Sequence, residues 1–166
     1  MDFFVWLEST SLSTWINQSS SVFFAYPGIL LVHTIGMTLL VGINVAIGLR
    51  LLGFAPIVPV LEMQQLFPLM WAGLFLSSVS GVLLLIAKAT SMIVNPAFSI
   101  KMLAIVLAVW VFFAMRSRIF RDPLLDKKPV AANGRVLALL SLALWLLALT
   151  AGRMMAYVGE AAQFGK

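Results

Sequence analysis

The chain has 166 residues, 62% of them hydrophobic and 10% charged, with a formal net charge of +5 and no cysteine. A soluble domain of this size cannot hide that much apolar surface, so lipid is the solvent for most of it. The missing cysteines exclude disulfides, cysteine-ligated iron–sulfur clusters and thiolate metal sites.

From the N-terminus, residues 1–22 read as an amphipathic interfacial helix. Phe3, Phe4 and Leu7, then Leu12, Trp15 and Ile16, recur at helical spacing, with Ser9, Thr10, Asn17 and Gln18 as polar positions. The segment is too short and polar to span, so Trp6 and Trp15 are expected at headgroup level. It is placed to act as a lid between the outer helix ends, or to serve only as a surface anchor. A basic n-region and an apolar h-region are both missing, so no cleavage is expected.

Crossing the hydrocarbon core takes about 20 apolar residues. Four stretches supply them, at about 27–52, 67–87, 98–115 and 136–157. With no water available their backbone groups must bond internally, which requires helices. The predicted fold is all-α and integral to the membrane. It is one domain over 1–166, a four-transmembrane-helix bundle with the N-terminal interfacial helix. Turn chemistry separates the spans at Ala55-Pro56-Ile57-Val58-Pro59, Asn95-Pro96, Asp122-Pro123, Lys128-Pro129 and Asn133-Gly134. Small residues at Gly36, Gly42, Ala46, Gly48, Ser77 and Gly81 mark close helix approaches or room for a flat cofactor.

Arg116, Arg118, Arg121, Lys127, Lys128 and Arg135 fall in the loop before the last span. That clustering is the positive-inside signature rather than a nucleic-acid footprint. It puts loop 116–135 in the cytoplasm of a bacterial inner membrane and both termini in the periplasm.

Within the spans, His33 is the only histidine of the chain. At 1.5 Å per residue it lies about 9 Å below Pro27. Lys101 and Arg153 lie roughly one turn inside the outer ends of their own helices, and Lys88 closes the second span. All acidic residues lie outside the spans, so an exogenous anion is a reasonable partner for these cations. The same absence disfavours an ion-coupled transporter. Each cation can also simply snorkel to the headgroups, and His33 can be a packed neutral histidine. Histidine is equally the commonest metal ligand and proton relay near neutral pH. An imidazole beside cations suits haem, with its iron and two propionates. His33 with Met37, one turn on, suits copper as an alternative. Bis-histidine di-haem ligation needs four histidines and is excluded. A single-His, His/Met or mixed ligand set is left, or a homodimer sharing two His33 side chains.

The run Val32-His33-Thr34-Ile35-Gly36, with Gly42 and Leu49-Arg50-Leu51, resembles the first helix of the four-helix bacterial protoporphyrinogen oxidases. Ser80-Gly81 and Asn95-Pro96-Ala97-Phe98-Ser99-Ile100-Lys101 are similar to later parts of that family. The copper-resistance D-type membrane proteins share the general layout. The pattern is closer still to a further group of bacterial four-helix membrane proteins. That group shows His-x-x-Gly, Leu-Arg-x-Leu-Gly, Asn-Pro-x-Phe-x-x-Lys and a late Gly-Arg, here Gly152-Arg153. The resemblance implies haem b at His33 and a functional role for Lys101. The N-terminal helix, Arg153 and the Pro-rich first loop depart from the oxidase pattern, so porphyrinogen oxidation is not carried over.

The sequence therefore predicts haem b binding for electron transfer or redox chemistry near the periplasmic face. His33 is the axial ligand, and Lys101 and Arg153, with Lys88, neutralise propionates or an anionic substrate. Activity as a haem-dependent membrane oxidoreductase stays open, as does a redox partner or homo-oligomer. The alternatives are a copper-handling protein using His33 and methionines, and a non-catalytic subunit binding lipid or a partner protein.

Overall fold

The computed structural model describes residues 2–19, 25–122, 125 and 130–164, with side chains as far as residue 155. Lys127, Lys128 and the side chains of Tyr157 and Glu160 lie outside the described residues. The regular elements in chain order are α1 (Asp2–Glu8), α2 (Ser11–Gln18), α3 (Tyr26–Leu51), a 3-10 helix (Leu61–Leu66), α4 (Phe67–Ala87), α5 (Ala89–Ile93), α6 (Pro96–Arg118) and α7 (Ala132–Phe164). Four of these helical stretches are long and apolar enough to cross a membrane, with mean hydropathies between 1.9 and 2.3. Only 28% to 39% of each apolar window is buried, so most of their apolar surface faces outward. Such faces call for lipid against them.

The helix ends follow local chemistry. Pro27 and Pro68 occupy first turns, where a missing N–H costs nothing. The Asn95 carboxamide oxygen accepts from the Ala97 N–H at 3.0 Å and caps α6, which therefore starts at Pro96, before the expected 98. At its end α3 is folded back on the following loop, where the Arg50 guanidinium donates to the Val58 and Pro56 carbonyls. Asn133-Gly134, expected in a turn, instead lies in the first turn of α7. The Val130 side chain packs closely over Gly134, where a Cβ would come within 2.8 Å of Val130 Cγ1 and displace that methyl.

The single N-terminal helix expected over 1–22 is instead two short helices. Hydroxyls make the break: Ser9 Oγ donates to the Trp6 carbonyl and Thr10 Oγ1 to the Leu7 carbonyl, at 2.7 Å each. Thr10 Oγ1 also accepts from the Ser13 N–H and caps α2. Side chains of this kind compete with helical backbone bonds.

α3 lies along α4 and α7, and α6 lies along α7. The α3–α4 contact is backbone against backbone. A Cβ on Gly36 would sit 2.7 Å from the Ser77 nitrogen, and one on Gly73 would sit 2.9 Å from the Gly36 carbonyl oxygen. Small residues permit this approach, and dispersion then holds the pair where lipid offers no hydrophobic drive. At the basic-loop end, edge-to-face rings join α4 to α6 and the segment after it. Phe67 packs against Phe112 and Phe120 with centroids 5.1 Å apart, and Trp71 packs against Phe112.

The buried apolar residues form two clusters. The larger fills the basic-loop end and the middle and reaches Met37, Ala104 and Ala148. The smaller joins Ile16 of α2 to Ile29, Leu84 and Ala87 at the other end.

Candidate functional site

A polar layer separates those two clusters. On α3 it holds His33, four residues after Ile29 and four before Met37. On α4 it holds Ser77 and Ser80, on α6 Lys101 and on α7 Gly152.

The α3–α4 contact places the histidine. His33 Nδ1 lies 2.9 Å from the Ser77 carbonyl oxygen, 3.2 Å from Ser80 Oγ and 3.5 Å from Ser77 Oγ. A carbonyl only accepts, so Nδ1 carries the proton and donates it. The tautomer follows: Nε2 keeps its lone pair and is the ligating or basic atom of the ring. Ser80 is itself held, its hydroxyl donating to the Leu76 carbonyl at 2.6 Å. Gly81 gives the imidazole its room, since a Cβ there would lie 3.2 Å from His33 Cε1. The space at Gly81 is thus filled by the histidine, and the closest backbone approach is made at Gly36, Gly73 and Ser77.

Lys101 is half-buried, and its stem crosses α7 at Gly152. A Cβ on Gly152 would meet Lys101 Cδ, Cε and Nζ at 3.7 to 3.8 Å. Among the described residues, the acidic side chains are Asp2, Glu8, Glu62 and Asp122. Glu62, expected outside the spans, lies in the first turn of the membrane-length stretch Leu61–Ala87, at the basic-loop end away from His33, and the others lie outside the four stretches. Glu8 is engaged elsewhere, accepting from the Thr90 N–H at 3.0 Å and the Thr90 hydroxyl at 2.7 Å. The layer therefore holds a cation and a lone pair, and leaves room in its charge balance for an anion.

The other residues named from sequence are placed differently. The Arg153 side chain is exposed, one residue round the helix from the Gly152 face that meets Lys101. Lys88 is exposed at the C-terminal end of α4, its Nζ 4.7 Å from the Tyr26 ring centroid in a cation–π contact. Met37 is packed in the larger apolar cluster, which leaves His33 as the accessible one of the two named copper donors. Met154 and Met102 are exposed.

Three positions were missed by sequence reasoning. Gly73 completes the contact with Gly36, and Gly73-x-x-x-Ser77-x-x-x-Gly81 was legible as a small residue every four. Asn95 was read as a turn and as part of a motif, yet its carboxamide also donates to the Met155 carbonyl at 3.4 Å and ties α6 to α7. Ser80 was noted only as part of a motif. No family model matches the chain, and no curated protein or solved structure matches it either.

Proposed function

We propose that this chain is a haem b-binding protein of a bacterial inner membrane, serving electron transfer or redox chemistry, with His33 as the axial ligand. The observation that carries the reading is the bond from His33 Nδ1 to the Ser77 carbonyl. A ring nitrogen committed to a backbone carbonyl is the usual partner of a metal-bound Nε2, because it fixes the tautomer and orients the ring. The donor set present fits one axial ligand and one propionate counter-ion, His33 and Lys101. A second ligand from α3 does not fit, since Met37 belongs to the apolar core. Held by His33 and Lys101, haem would supply reversible one-electron iron chemistry. The chain's own part is to hold the axial nitrogen, neutralise a carboxylate and keep water away.

The same reading makes the four apolar helices a bundle, with the basic segment 116–135 cytoplasmic. The His33 layer and the N-terminal helices then stand at the periplasmic face, where the exposed Trp6 and Trp15 meet headgroups.

The test is an absorption spectrum of the detergent-purified protein, oxidised and dithionite-reduced, beside His33→Ala. A Soret band with reduced b-type features, lost in the variant, supports the proposal. A colourless wild type after expression with ample haem overturns it.

A further inference from the structure

The N-terminal helices are fastened to the His33 end of α3 and α4 at three points. Ile16 is completely buried, in one cluster with Ile29, Leu84 and Ala87. Asn17 Nδ2 donates to the Ala87 carbonyl at 3.1 Å, across the end of α4. Glu8 receives both the N–H and the hydroxyl of Thr90, at 3.0 and 2.7 Å, just past that end. These contacts lie directly over the candidate site. Ile29 is one helical turn, about 6 Å, above His33. Leu84 is three residues beyond Gly81, which touches the imidazole.

The fastening is unequal. Ile16 is the one fully buried apolar side chain, Phe4 and Leu7 are half-buried where α1 meets α4 and α5, and the opposite face of the segment is exposed at Phe3, Trp6, Leu12 and Trp15. Segments with few buried apolar contacts open at low free-energy cost. The strongest single attachment is the one in which a carboxylate takes two donors from one residue, since charge-assisted hydrogen bonds are the strong ones.

We propose that α1 and α2 form a strap closing the outer end of the α3–α4 seam above His33, with Glu8 on Thr90 as its latch. Opening moves Ile16 off Ile29 and Leu84 and admits a water-borne ligand to the polar layer. The exposed aromatic side chains keep the strap at the headgroup level in both states. This inference concerns access to His33 and stands whatever His33 binds, haem included.

The native chain has no cysteine, so a single introduced thiol reports opening. Leu84→Cys places it beneath Ile16, and Met115→Cys, in a separate protein, places it in the core at the far end of α6. The readout is the labelling rate with a small water-soluble maleimide in detergent. Glu8→Ala is expected to speed labelling at position 84 by about tenfold or more, the scale of a lost hydrogen bond to a charged group, and to leave position 115 unchanged. Thr90→Val, which keeps shape and the backbone N–H, should give a smaller rise. Faster labelling at both positions in Glu8→Ala means general unfolding, and Thr90→Val then decides. An unchanged rate at position 84 in the variants overturns the latch. A rate there already equal to that of an exposed thiol in the otherwise native chain overturns the strap.

Discussion

His33 and Ser77 are joined across two helices, the imidazole Nδ1 of one standing 2.9 Å from the backbone carbonyl of the other. The bond specifies a chemical state as well as a position. It requires the proton on Nδ1 and leaves Nε2 bare. With one histidine in the chain, selective ring ¹⁵N labelling yields a single pair of nitrogen resonances. In metal-free protein at pH 8 the expected spectrum has a pyrrole-type Nδ1 and a pyridine-type Nε2. The reverse assignment would remove the basis for ligation through Nε2.

The seam that presents His33 depends on two missing side chains. Gly36→Ala drives a methyl to within 2.7 Å of the Ser77 nitrogen, a backbone atom that cannot step aside. We expect a loss of about 1–3 kcal/mol, the usual range for overpacking. Gly42 has nothing within 4 Å of its would-be Cβ. Gly42→Ala should therefore be neutral or slightly stabilising, given the better helix propensity of alanine. Detergent unfolding midpoints of the two variants check the contrast, and equal effects would show that the close approach is not made.

In the proposed haem site, Lys101 sets stability against binding. Its charge is half-buried, and the one described carboxylate of the membrane-length stretches, Glu62, lies at the opposite, basic-loop end. A cation at the centre of a membrane helix costs about 2.5–3.5 kcal/mol, less toward an end. Lys101→Met should therefore raise the melting temperature of the ligand-free protein while weakening haem binding about tenfold, as expected for one lost charge-assisted contact. Thermal melts and haem titrations read the two effects separately. A variant both less stable and fully competent would assign Lys101 to packing.

Ser141 and Trp145, one turn apart on α7, are each 1% exposed, and among the described residues neither Ser141 Oγ nor Trp145 Nε1 has a hydrogen-bond partner. An unpaired buried hydroxyl costs free energy that its removal recovers. Ser141→Ala should stabilise the protein by about 1 kcal/mol. A destabilised variant in the same unfolding assay would reveal a partner for that hydroxyl.

Much of the helical frame was legible because lipid imposes a length. The stretch expected at 67–87 coincides with the α-helical part α4, ended by the departure from helix at Lys88, but the membrane-length stretch starts earlier, at Leu61, because a 3-10 helix runs into α4. The ends of α6 and α7 were not, because a cap such as Asn95 or a tight approach such as Gly134 on Val130 is a tertiary or local side-chain matter. The break at Ser9 and Thr10 arose from hydroxyls bonding back to carbonyls, which spacing of apolar residues does not report. At the site, counting residues along each helix brought His33, Lys101 and Arg153 to similar depth. It did not show that Arg153 is exposed, that Lys88 rests on Tyr26 or that Met37 belongs to the core.

By itself the sequence determined how many apolar stretches there are and how long each is, because a backbone in hydrocarbon must satisfy its own hydrogen bonds over a set thickness. It also determined that the one imidazole and several cations lie near one end of those stretches. Only the tertiary structure decided which of them meet. Depth follows from a rise per residue, whereas facing depends on how two helices cross. Here the crossing was chosen by Gly36 and Gly73, whose missing side chains let the Ser77 carbonyl reach His33.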